Sequence, residues 1–393
     1  MRFSLFPPFL IEPTALYILT STSWGGLELY VCTLAVTLAQ SGWKPVVLCV
    51  PGSKVEQFLR EHSIETYPSS GSGYFNVHDI LLVQKIIRKR GVSVVHSHTR
   101  FDIWTASWAI RGFPKVKLFH SVYMNVAPKK DILHRWIYRR ANGIFSSSEI
   151  INREIRERYP IEPSRVHLLR YGIALNDFVP NETVRRETRL MLDVKEHEIL
   201  VGVLGRIDVQ KGVREFAESY LLLPKEKQGV IKYLIIGEPT ILRTKDDGSQ
   251  EYEPGSKACD EYITSFIKQN YLEKNIIRVG FRKMIIPYLN AMDIFVLPSY
   301  AEMYSLSVIN AMAMGLPVIG TKAGGTEEQI ENGVRGTLIE PRDPAAIARA
   351  VEHYVDHPEI RAAHGAEAEK YAWENHSMEK TIKTLLDFYS GNR

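Results

Sequence analysis

The chain has 393 residues, of which 45% are hydrophobic and 24% are charged, and its formal net charge is +4. This length predicts about two domains that each bury their own core, and the composition excludes the disordered and fibrous classes of protein. The three cysteines are far apart in the sequence, and none belongs to a Cys-x-x-Cys or His/Cys cluster. Structural zinc is therefore not predicted, and the cysteine content is typical of a reducing compartment.

The amino-terminal segment is apolar, but Pro7, Pro8, Glu12 and Pro13 interrupt it. These residues spoil the continuous apolar core that a signal peptide requires. No apolar run in the chain approaches the length of about 18 residues that a membrane-spanning helix needs. We therefore expect a cytoplasmic protein without a membrane span.

The positive charge is concentrated in the first half of the chain. Residues 1–180 contain 22 Lys and Arg against 13 Asp and Glu, whereas the remainder contains 27 against 32. The surplus lies mainly at Arg88-Lys89-Arg90, Lys115, Lys117, Lys129-Lys130 and Arg135 to Arg140, where Trp136 and Tyr138 are interleaved. A solvated face is one interpretation, and contact with an anionic partner such as a phosphorylated glycolipid or the cytoplasmic leaflet is the other. Nucleic acid is not predicted, because no recognised binding motif accompanies these residues.

Buried strands that alternate with helices predict a doubly wound α/β fold in the first half. Strands are predicted at 16–19, 45–50, 92–95, 115–119, 143–148 and 166–173, and helices at 27–40, 55–62 and 77–90. Gly25 and Gly26 lie between the first strand and the first helix, where a glycine-rich loop lets backbone amides approach a phosphate or sugar. A plain turn is the alternative at this place.

Histidines follow two of these strands. His96 and His98 come after the strand at 92–95, and His120 comes after the strand at 115–119. The carboxyl ends of parallel strands are the ligand-facing edge of such a sheet. Without a metal-ligand spacing, these side chains are typical of hydrogen-bonding or acid/base groups, and a buried structural histidine is the alternative for each of them.

The second half repeats the alternation of strand and helix. Strands are predicted at 199–204, 233–236, 279–281, 294–297 and 317–320, and helices from 213, at 304–314, at 345–354 and at 378–389. The polar stretch 243–257 is longer than most connections in compact domains, so we expect a mobile surface loop there, with a possible role as a lid.

A loop rich in glycine and cations follows the strand at 199–204. It contains Gly205, Arg206, Lys211 and Gly212. Arg206 and Lys211 can converge on a diphosphate, the first through its planar fork and the second as a point charge. A solvated surface is the alternative interpretation. No Asp-x-Asp occurs in the chain, so a divalent cation is not predicted to hold the diphosphate.

Residues 293–325 form the most informative stretch, because a strand, a helix and a second strand follow one another with a carboxylate after the first strand. Glu302 is that carboxylate, and we expect nothing nearby to neutralise it. The stretch continues through Asn310 and the run AMAMGLPV at 311–318 to Gly324 and Gly325. Helix N-termini and glycine turns at the carboxyl ends of strands supply N–H groups for phosphates.

These motifs resemble the retaining glycosyltransferases of family 4, also called group 1, which have the GT-B fold. In that family a Glu and a second Glu, with seven residues between them, precede an Ala-Met-Ala-x-Gly-x-Pro-Val run and a Gly-Gly turn. Here Glu302 matches the first Glu and Asn310 replaces the second. The segments at 25–28 (GGLE) and 205–212 match two further family segments, the second of which binds the diphosphate.

The resemblance implies an α/β fold with two Rossmann-like domains of doubly wound parallel sheet that face a cleft. The acceptor-side domain would comprise residues 1–178, with a carboxyl-terminal helix at 375–393 packing back on it, and the donor-side domain residues 179–374. The implied activity is transfer of a sugar, with retention and without a metal, from a nucleotide diphosphate sugar to an acceptor hydroxyl. A UDP-sugar is favoured over a GDP-sugar, and no cofactor is expected.

The resemblance also implies roles for individual residues. The predicted catalytic residues are His120, Arg206, Lys211 and Glu302. The predicted donor-binding residues are Gly25, Gly26, Gly205, Arg206, Lys211, Glu302, Tyr304, Ser305, Leu306, Asn310, Gly324 and Gly325. Amides near 304–306 and 324–325 would stabilise the leaving diphosphate. His98, Arg135 and Trp136 are candidates for contact with the acceptor or the cleft.

The acceptor is open at the level of sequence. The basic first domain favours a glycan or glycolipid of lipopolysaccharide or other envelope polysaccharide synthesis, made at the cytoplasmic face of an anionic membrane. A soluble small-molecule acceptor and a non-catalytic GT-B binding module are the alternatives. A hydrolase or dinucleotide-binding enzyme is disfavoured, because neither G-x-S-x-G nor a G-x-G-x-x-G after a strand is present.

Overall fold

The computed structural model describes residues 12–123, 126–244 and 249–392. The predicted absence of a signal peptide concerns a segment that lies mostly outside these residues, as does the tip of the polar stretch at 245–248. The chain forms two compact units: one contains the described part of Met1–Gly172 together with Met378–Arg393, and the other is Ile173–Ser377.

The described residues contain fifteen strands and sixteen α-helices. The strands are β1 (Thr14–Leu19), β2 (Lys44–Cys49), β3 (Glu65–Pro68), β4 (Val92–Ser97), β5 (Lys117–Val122), β6 (Gly143–Ser146), β7 (Val166–Leu168), β8 (Ile199–Leu204), β9 (Ile231–Ile236), β10 (Ile241–Thr244), β11 (Gln250–Tyr252), β12 (Ile276–Gly280), β13 (Ile294–Leu297), β14 (Val318–Thr321) and β15 (Gly336–Ile339). The helices are α1 (Gly26–Gln40), α2 (Lys54–Glu61), α3 (Val77–Arg90), α4 (Asp102–Ala109), α5 (Ile132–Tyr138), α6 (Glu149–Arg158), α7 (Glu182–Met191), α8 (Val213–Ser219), α9 (Lys225–Gln228), α10 (Pro254–Gln269), α11 (Ile286–Ala291), α12 (Leu306–Ala313), α13 (Thr326–Gln329), α14 (Pro344–Asp356), α15 (Pro358–Asn375) and α16 (Met378–Ser390).

Each unit is built on one parallel sheet. The first sheet has the order β3-β2-β1-β4-β5-β6-β7, and the second has the order β12-β9-β8-β13-β14-β15. In each sheet the early strands are added on one side of the first strand, and the later strands are added on its other side. The strand order therefore reverses between β1 and β4 and between β8 and β13. Ligands of open α/β sheets bind outside the carboxyl ends of the strands at such a switch point.

The central strands are buried on both faces. Residues Ala15 to Leu19 of β1 and Ile294 to Val296 of β13 have no exposed surface. Helices on both faces of a parallel sheet produce such continuous apolar runs, which is why the sequence identified these strands. The doubly wound α/β fold is therefore confirmed for both halves of the chain.

The carboxyl-terminal helix α16 belongs to the first unit. The hydroxyl of Tyr389 lies 2.6 Å from Nδ1 of His96, and Lys117 Nζ donates to the carbonyl of Tyr389 over 2.8 Å. Because both partners lie on central strands of the first sheet, these contacts anchor the end of the chain to that sheet.

Several predictions of local structure are wrong, among them the following two. The strands β4 and β5 extend to Ser97 and Val122, so His96 and His120 lie within strands and not after them. The predicted loop at 243–257 contains the antiparallel pair β10–β11 and the first turn of α10, which begins at Pro254. Proline at the start of a helix is favourable, whereas a ribbon of three or four mostly polar residues has too little apolar periodicity to be recognised.

No helix within the described ranges is long and apolar enough to cross a membrane.

Candidate functional site

The loops that follow β8 and β13 are joined at the switch point of the second sheet. The Tyr300 amide donates to the carbonyl of Gln210 over 2.8 Å. Gly212 has a φ of +65°, and a Cβ there would lie 2.0 Å from the carbonyl oxygen of Pro298. A side chain at 212 is therefore excluded both by the backbone conformation and by the contact, and the glycine keeps the two loops together.

Lys211 and Glu302 form an ion pair across these loops. Lys211 Nζ lies 2.7 Å from Glu302 Oε2, and the side chains are 26% and 14% exposed. The expectation that Glu302 has no neutralising neighbour is therefore wrong, because its counter-charge comes from 91 positions earlier in the chain. Two predicted catalytic residues thus lie in direct contact.

Arg206 has different partners from Lys211. Its Nη1 donates to the hydroxyl of Thr240 over 3.3 Å, its Nη2 lies 3.7 Å from Asp208 Oδ2, and its side chain is 57% exposed. Asp208 also accepts from the amides of Gln210 and Lys211 over 2.9 and 3.1 Å. Convergence of Arg206 and Lys211 on one diphosphate stays a prediction.

Asp208 is a positioning residue that the sequence analysis did not single out. Its carboxylate caps the single helical turn at Val209–Lys211 and so orients the backbone that carries Lys211. Asp is a favoured N-cap residue, so an Asp directly before a short helical turn was the signal that could have identified this role.

The start of α12 is held by a side chain from α13. Gln329 Oε1 accepts from the Ser305 amide over 2.8 Å, and Gln329 Nε2 donates to the Ser305 carbonyl over 2.9 Å. The Ser305 hydroxyl caps the helix by accepting from the Val308 amide over 3.4 Å. Gln329 was missed because nothing local in the sequence links it to a residue 24 positions away.

Two of the amides predicted to face a diphosphate already have acceptors. The Ser305 amide donates to Gln329, and the Gly325 amide donates to the carbonyl of Glu302 over 2.8 Å. The amides of Leu306 and Ser307 are the first two of α12 and have no acceptor within the helix. The donors available at this helix start are therefore the Leu306 amide, which was predicted, and the Ser307 amide, which was not.

The Gly324-Gly325 turn packs against the backbone beside Glu302. Gly324 has a φ of +61°, and a Cβ there would lie 2.6 Å from the Glu302 carbonyl oxygen. A Cβ on Gly325 would lie 1.6 Å from the Met303 carbonyl oxygen. By contrast, a Cβ on Gly205 would have no atom within 4 Å. Packing within the described chain therefore explains glycine at 324 and 325 but not at 205.

Asn310 and Tyr304 occupy different environments. The Asn310 side chain is half-buried and makes no hydrogen bond to the described residues. Tyr304 is 4% exposed, and its hydroxyl lies 3.2 Å from Nε2 of His376. Tyr304 is thus a core side chain, whereas Asn310 keeps its amide available for a ligand.

In the first unit, the glycine-rich loop is closed by Glu28. The Glu28 carboxylate accepts from the Gly25 amide over 3.0 Å and from the Ser21 hydroxyl over 2.7 Å. Glu28 is 6% exposed and lies in the first turn of α1, which begins at Gly26. The Gly25 amide, predicted to approach a phosphate, therefore has an internal partner.

His120 is a buried neutral histidine with one defined tautomer. Its Nδ1 lies 3.2 Å from the Ser97 carbonyl oxygen and 2.9 Å from the Ser97 hydroxyl. Because a carbonyl can only accept, Nδ1 is assigned the proton and Nε2 keeps a lone pair. Burial lowers the pKa of His120 to about 3, so the ring stays uncharged near neutral pH.

His98 and His96 differ in how their nitrogens are satisfied. His98 Nδ1 lies 3.0 Å from the Tyr123 hydroxyl, while its buried Nε2 has no partner among the residues that the structure describes. Burial lowers the pKa of His98 to about 3. Both nitrogens of His96 are engaged, by Tyr389 and Ser121, so His96 is structural.

Arg135 and Trp136 lie on α5, and they differ in exposure. Arg135 is exposed and its Nε donates to the Lys130 carbonyl over 3.1 Å. Trp136 is half-buried, with its ring centroid 4.3 Å from that of Trp108. The sequence interleaves both Trp136 and Tyr138 with the cations of 135–140. Tyr138 is only 1% exposed, so it does not contribute to a surface formed by those cations.

The structure therefore brings the predicted residues together in two groups, one in each unit. In the first unit His98 follows β4 and His120 lies within β5, and in the second unit the loops after β8, β13 and β14 carry Lys211, Glu302 and the glycine turn. The second group joins a cation, a carboxylate and unpaired helix amides, which is an arrangement suited to an anionic ligand that also carries hydroxyls.

Comparison with known proteins agrees with this architecture. The family model for Glycosyl transferases group 1 matches residues 184–371, and the model for Glycosyltransferase Family 4 matches residues 24–177. A D-inositol 3-phosphate glycosyltransferase of Corynebacterium efficiens is 23% identical over 331 residues, which cover 78% of this chain and 74% of that protein.

Two solved structures share the fold. A glycosyltransferase from Rickettsia africae has a TM-score of 0.83 at 18% identity and covers 97% of this chain and 98% of its own. Anabaena Alr3699/HepE in complex with UDP and glucose has a TM-score of 0.80 at 17% identity, with coverages of 96% and 99%. The two sheets thus form a GT-B fold. The chain belongs to the group 1 glycosyltransferases, with a family 4 domain in its amino-terminal half.

Proposed function

We propose that the protein transfers a sugar, with retention of configuration and without a divalent cation, from a UDP-sugar to an acceptor hydroxyl. The observation that carries the proposal is the Lys211–Glu302 pair at the switch point of the second sheet, beside the open start of α12. The Anabaena structure that shares the fold contains UDP and glucose, which supports UDP as the nucleotide of the donor.

The proposed roles follow from charge and hydrogen-bonding capacity. When the bond between sugar and diphosphate breaks, negative charge grows on the diphosphate. Lys211, Arg206 and the first amides of α12 are the donors that we assign to it, and each preorganised donor of this kind contributes on the order of 10² to 10³ in rate. These cations take the place that a metal ion holds in other transferases.

Glu302 and His120 are assigned to sugar hydroxyls. A carboxylate accepts hydrogen bonds from hydroxyl groups, and so does the Nε2 lone pair of a neutral histidine. Asn310 is assigned to a ribose hydroxyl, because its half-buried side-chain amide has no partner among the described residues. Retention rests on the resemblance to the family, and proton magnetic resonance of the anomeric centre of the product tests it directly.

For the acceptor we propose a glycan or glycolipid of the cell envelope, in keeping with the basic first domain and with the predicted cytoplasmic, peripheral location. The relatives named for D-inositol 3-phosphate favour a second candidate, a small soluble phosphorylated polyol. A phosphorylated glycolipid and a phosphorylated polyol both carry negative charge, which fits the net positive charge of residues 1–180.

The first experiment is thermal unfolding with UDP, GDP and ADP and with their sugar conjugates, in the presence of a chelator. A ligand at a hundred times its Kd adds about 2.7 kcal/mol of stability, which raises the Tm by a few degrees. We expect a shift with the UDP series that is lost in Lys211→Met. A shift that appears only after a divalent cation is restored would contradict the metal-independent part of the proposal.

The second experiment measures release of UDP with acceptors of each class. A non-catalytic binding module would bind UDP-sugar and release no UDP with any acceptor. Release that depends on D-inositol 3-phosphate and not on envelope glycolipids would select the soluble alternative.

A further inference from the structure

One surface of the first unit exposes an unusual group of apolar side chains. We call it the α3–α5 face, and it is defined by six residues from the loop before α3, from α3 and from α5. Their exposed fractions are 49% for Tyr74, 57% for Phe75, 63% for Val77, 60% for Leu81, 83% for Ile132 and 53% for Leu133. Large apolar residues exposed together, and not scattered singly, mark an interaction surface.

The face rests on a continuous row of aromatic rings. Trp104 and Trp108, one turn apart on α4, lie 5.2 Å from Tyr74 and 5.8 Å from Phe75 between ring centroids. On the other side, Trp108 lies 4.3 Å from Trp136 of α5. The loop before α3 and the helix α5 are therefore both packed on α4, and the exposed side chains stand on a fixed base.

The exposed stripes of α3 and α5 share one pattern. On α3 the stripe consists of Val77, Leu81, Lys85 and Arg88, which are all exposed and recur at helical spacing. On α5 and its C-cap residue it consists of Ile132, Arg135, Trp136 and Arg139, of which only Trp136 is half-buried. Each stripe begins with aliphatic side chains and ends with cations. Helices that lie in a membrane interface combine apolar and basic side chains in this way.

The charge around the face is almost entirely positive. Residues 74–140 contain thirteen Lys and Arg but only three Asp and no Glu. Asp79 and Asp102 are buried, so Asp131 is the single acidic side chain at this surface among the described residues of this range. Four of the cations pair or hydrogen-bond internally: Arg90 pairs with Glu65, and Lys117, Arg140 and Arg135 donate to backbone carbonyls.

Other cations lie on the same helices as the apolar group or against the aromatic rings beneath it. Arg111 packs against this aromatic row, with its guanidinium carbon 4.6 Å from the ring centroid of Trp136 and 5.2 Å from that of Trp108. Lys85, Arg88, Arg135 and Arg139 are exposed at the basic ends of the stripes. A surface of this kind is complementary to a bilayer that presents anionic headgroups above an apolar interior.

We propose that the α3–α5 face docks on the surface of an anionic lipid bilayer, with the six apolar side chains entering the interface and the cations of the same helices binding lipid headgroups. The proposal does not depend on the transferase reaction, because no residue assigned to the donor or to the sugar contributes to the six. It places the first unit at the surface where a lipid-linked acceptor would be found.

The test is co-sedimentation of the full chain with vesicles of phosphatidylcholine and with vesicles of equal parts phosphatidylcholine and phosphatidylglycerol, without donor or acceptor. We expect binding to the anionic vesicles that weakens as salt is added, because surface charges are screened. Ile132→Ser/Leu133→Ser should lower the partition coefficient about tenfold, since both apolar side chains leave the interface.

A matched control exists in the second unit. Leu190 and Met191 are also adjacent and exposed, at 80% and 63%, so Leu190→Ser/Met191→Ser should leave vesicle binding unchanged. Equal loss in the two double variants would overturn the assignment to the α3–α5 face. All four positions are exposed, and an unchanged Tm verifies that each variant is folded.

Charge removal gives the second arm of the test. Lys85→Ala/Arg88→Ala should lower binding to the anionic vesicles about fivefold for each charge removed. Binding that is equal on both kinds of vesicle would overturn the electrostatic part of the proposal. Binding to a soluble polyanion such as dextran sulfate, without binding to vesicles, would overturn the proposal as a whole. Release of UDP with a soluble acceptor is measured in parallel, so failure of the transferase assignment is seen separately.

Discussion

The ion pair between Lys211 and Glu302 leads to a specific prediction about nucleotide binding. A diphosphate that takes up Lys211 must compete with the Glu302 carboxylate, 2.7 Å away, and must also approach its negative charge. Glu302→Gln keeps the shape and one acceptor oxygen but removes that charge. We therefore expect the variant to bind UDP more tightly than the wild type, although Glu302 is assigned a role in catalysis.

The magnitude follows from the Coulomb attraction that is lost. Lys211 stays charged in Glu302→Gln and keeps a hydrogen-bond acceptor, so the competing interaction weakens only by the ion-pair attraction, which is about 1 kcal/mol for a partly exposed pair. That difference corresponds to about a fivefold lower Kd for UDP. The kcat/KM for the UDP-sugar should instead fall by at least about tenfold, because the sugar hydroxyls lose their charged acceptor.

Isothermal titration with UDP measures the first effect, and initial rates measure the second. Glu340→Gln is the matched control: Glu340 accepts from Lys322 over the same 2.7 Å, but that pair is more exposed, at 66% and 47%. It should leave both quantities unchanged. A Kd for UDP that is unchanged or higher in Glu302→Gln would refute the idea that the carboxylate competes for Lys211.

Three further predictions concern single residues. The pKa of His120 is about 3 in the folded protein, while an unfolded histidine titrates near 6.5, so this buried ring contributes stability that is present above pH 6.5 and lost as the pH falls. Between about pH 7.5 and about pH 5 its share is about 2 kcal/mol, and Tm against pH should therefore fall less steeply in His120→Asn than in the wild type. Gly325→Ala should destabilise the protein by about 3 kcal/mol or more, because its Cβ would lie 1.6 Å from the Met303 carbonyl oxygen. Gly205→Ala should leave the Tm unchanged, and it should lower activity only if a ligand approaches the backbone at 205. Asn310→Glu should lower the Kd for UDP about fivefold through a charged acceptor for ribose, and an unchanged Kd in titration would contradict that contact.

The elements that depend on short-range patterns were predicted well. The bounds of β8, β13 and α3 agree with the prediction to the residue, because continuous apolar runs and helical periodicity are local properties. The strands β4 and β5 were predicted too short, since His96 and His120 are polar residues inside buried strands. Polar side chains are accepted there because hydrogen bonds to distant residues satisfy them.

The sequence by itself determined the two α/β halves, the family and the residue types of the site, because each is encoded in a contiguous motif. Glycines at 324 and 325, the cation at 211 and the carboxylate at 302 could be identified without coordinates. Their presence at the ends of strands already indicated a site for a ligand with negative charge.

Tertiary structure alone decided how those residues are paired. Lys211 neutralises Glu302 across 91 positions, Gln329 occupies the Ser305 amide across 24, and Glu28 occupies the Gly25 amide. It also decided which of the basic and aromatic residues of the first unit reach the surface. Pairing and exposure depend on which strands become neighbours in the sheet and which helix faces are covered, and no local pattern in the chain encodes either.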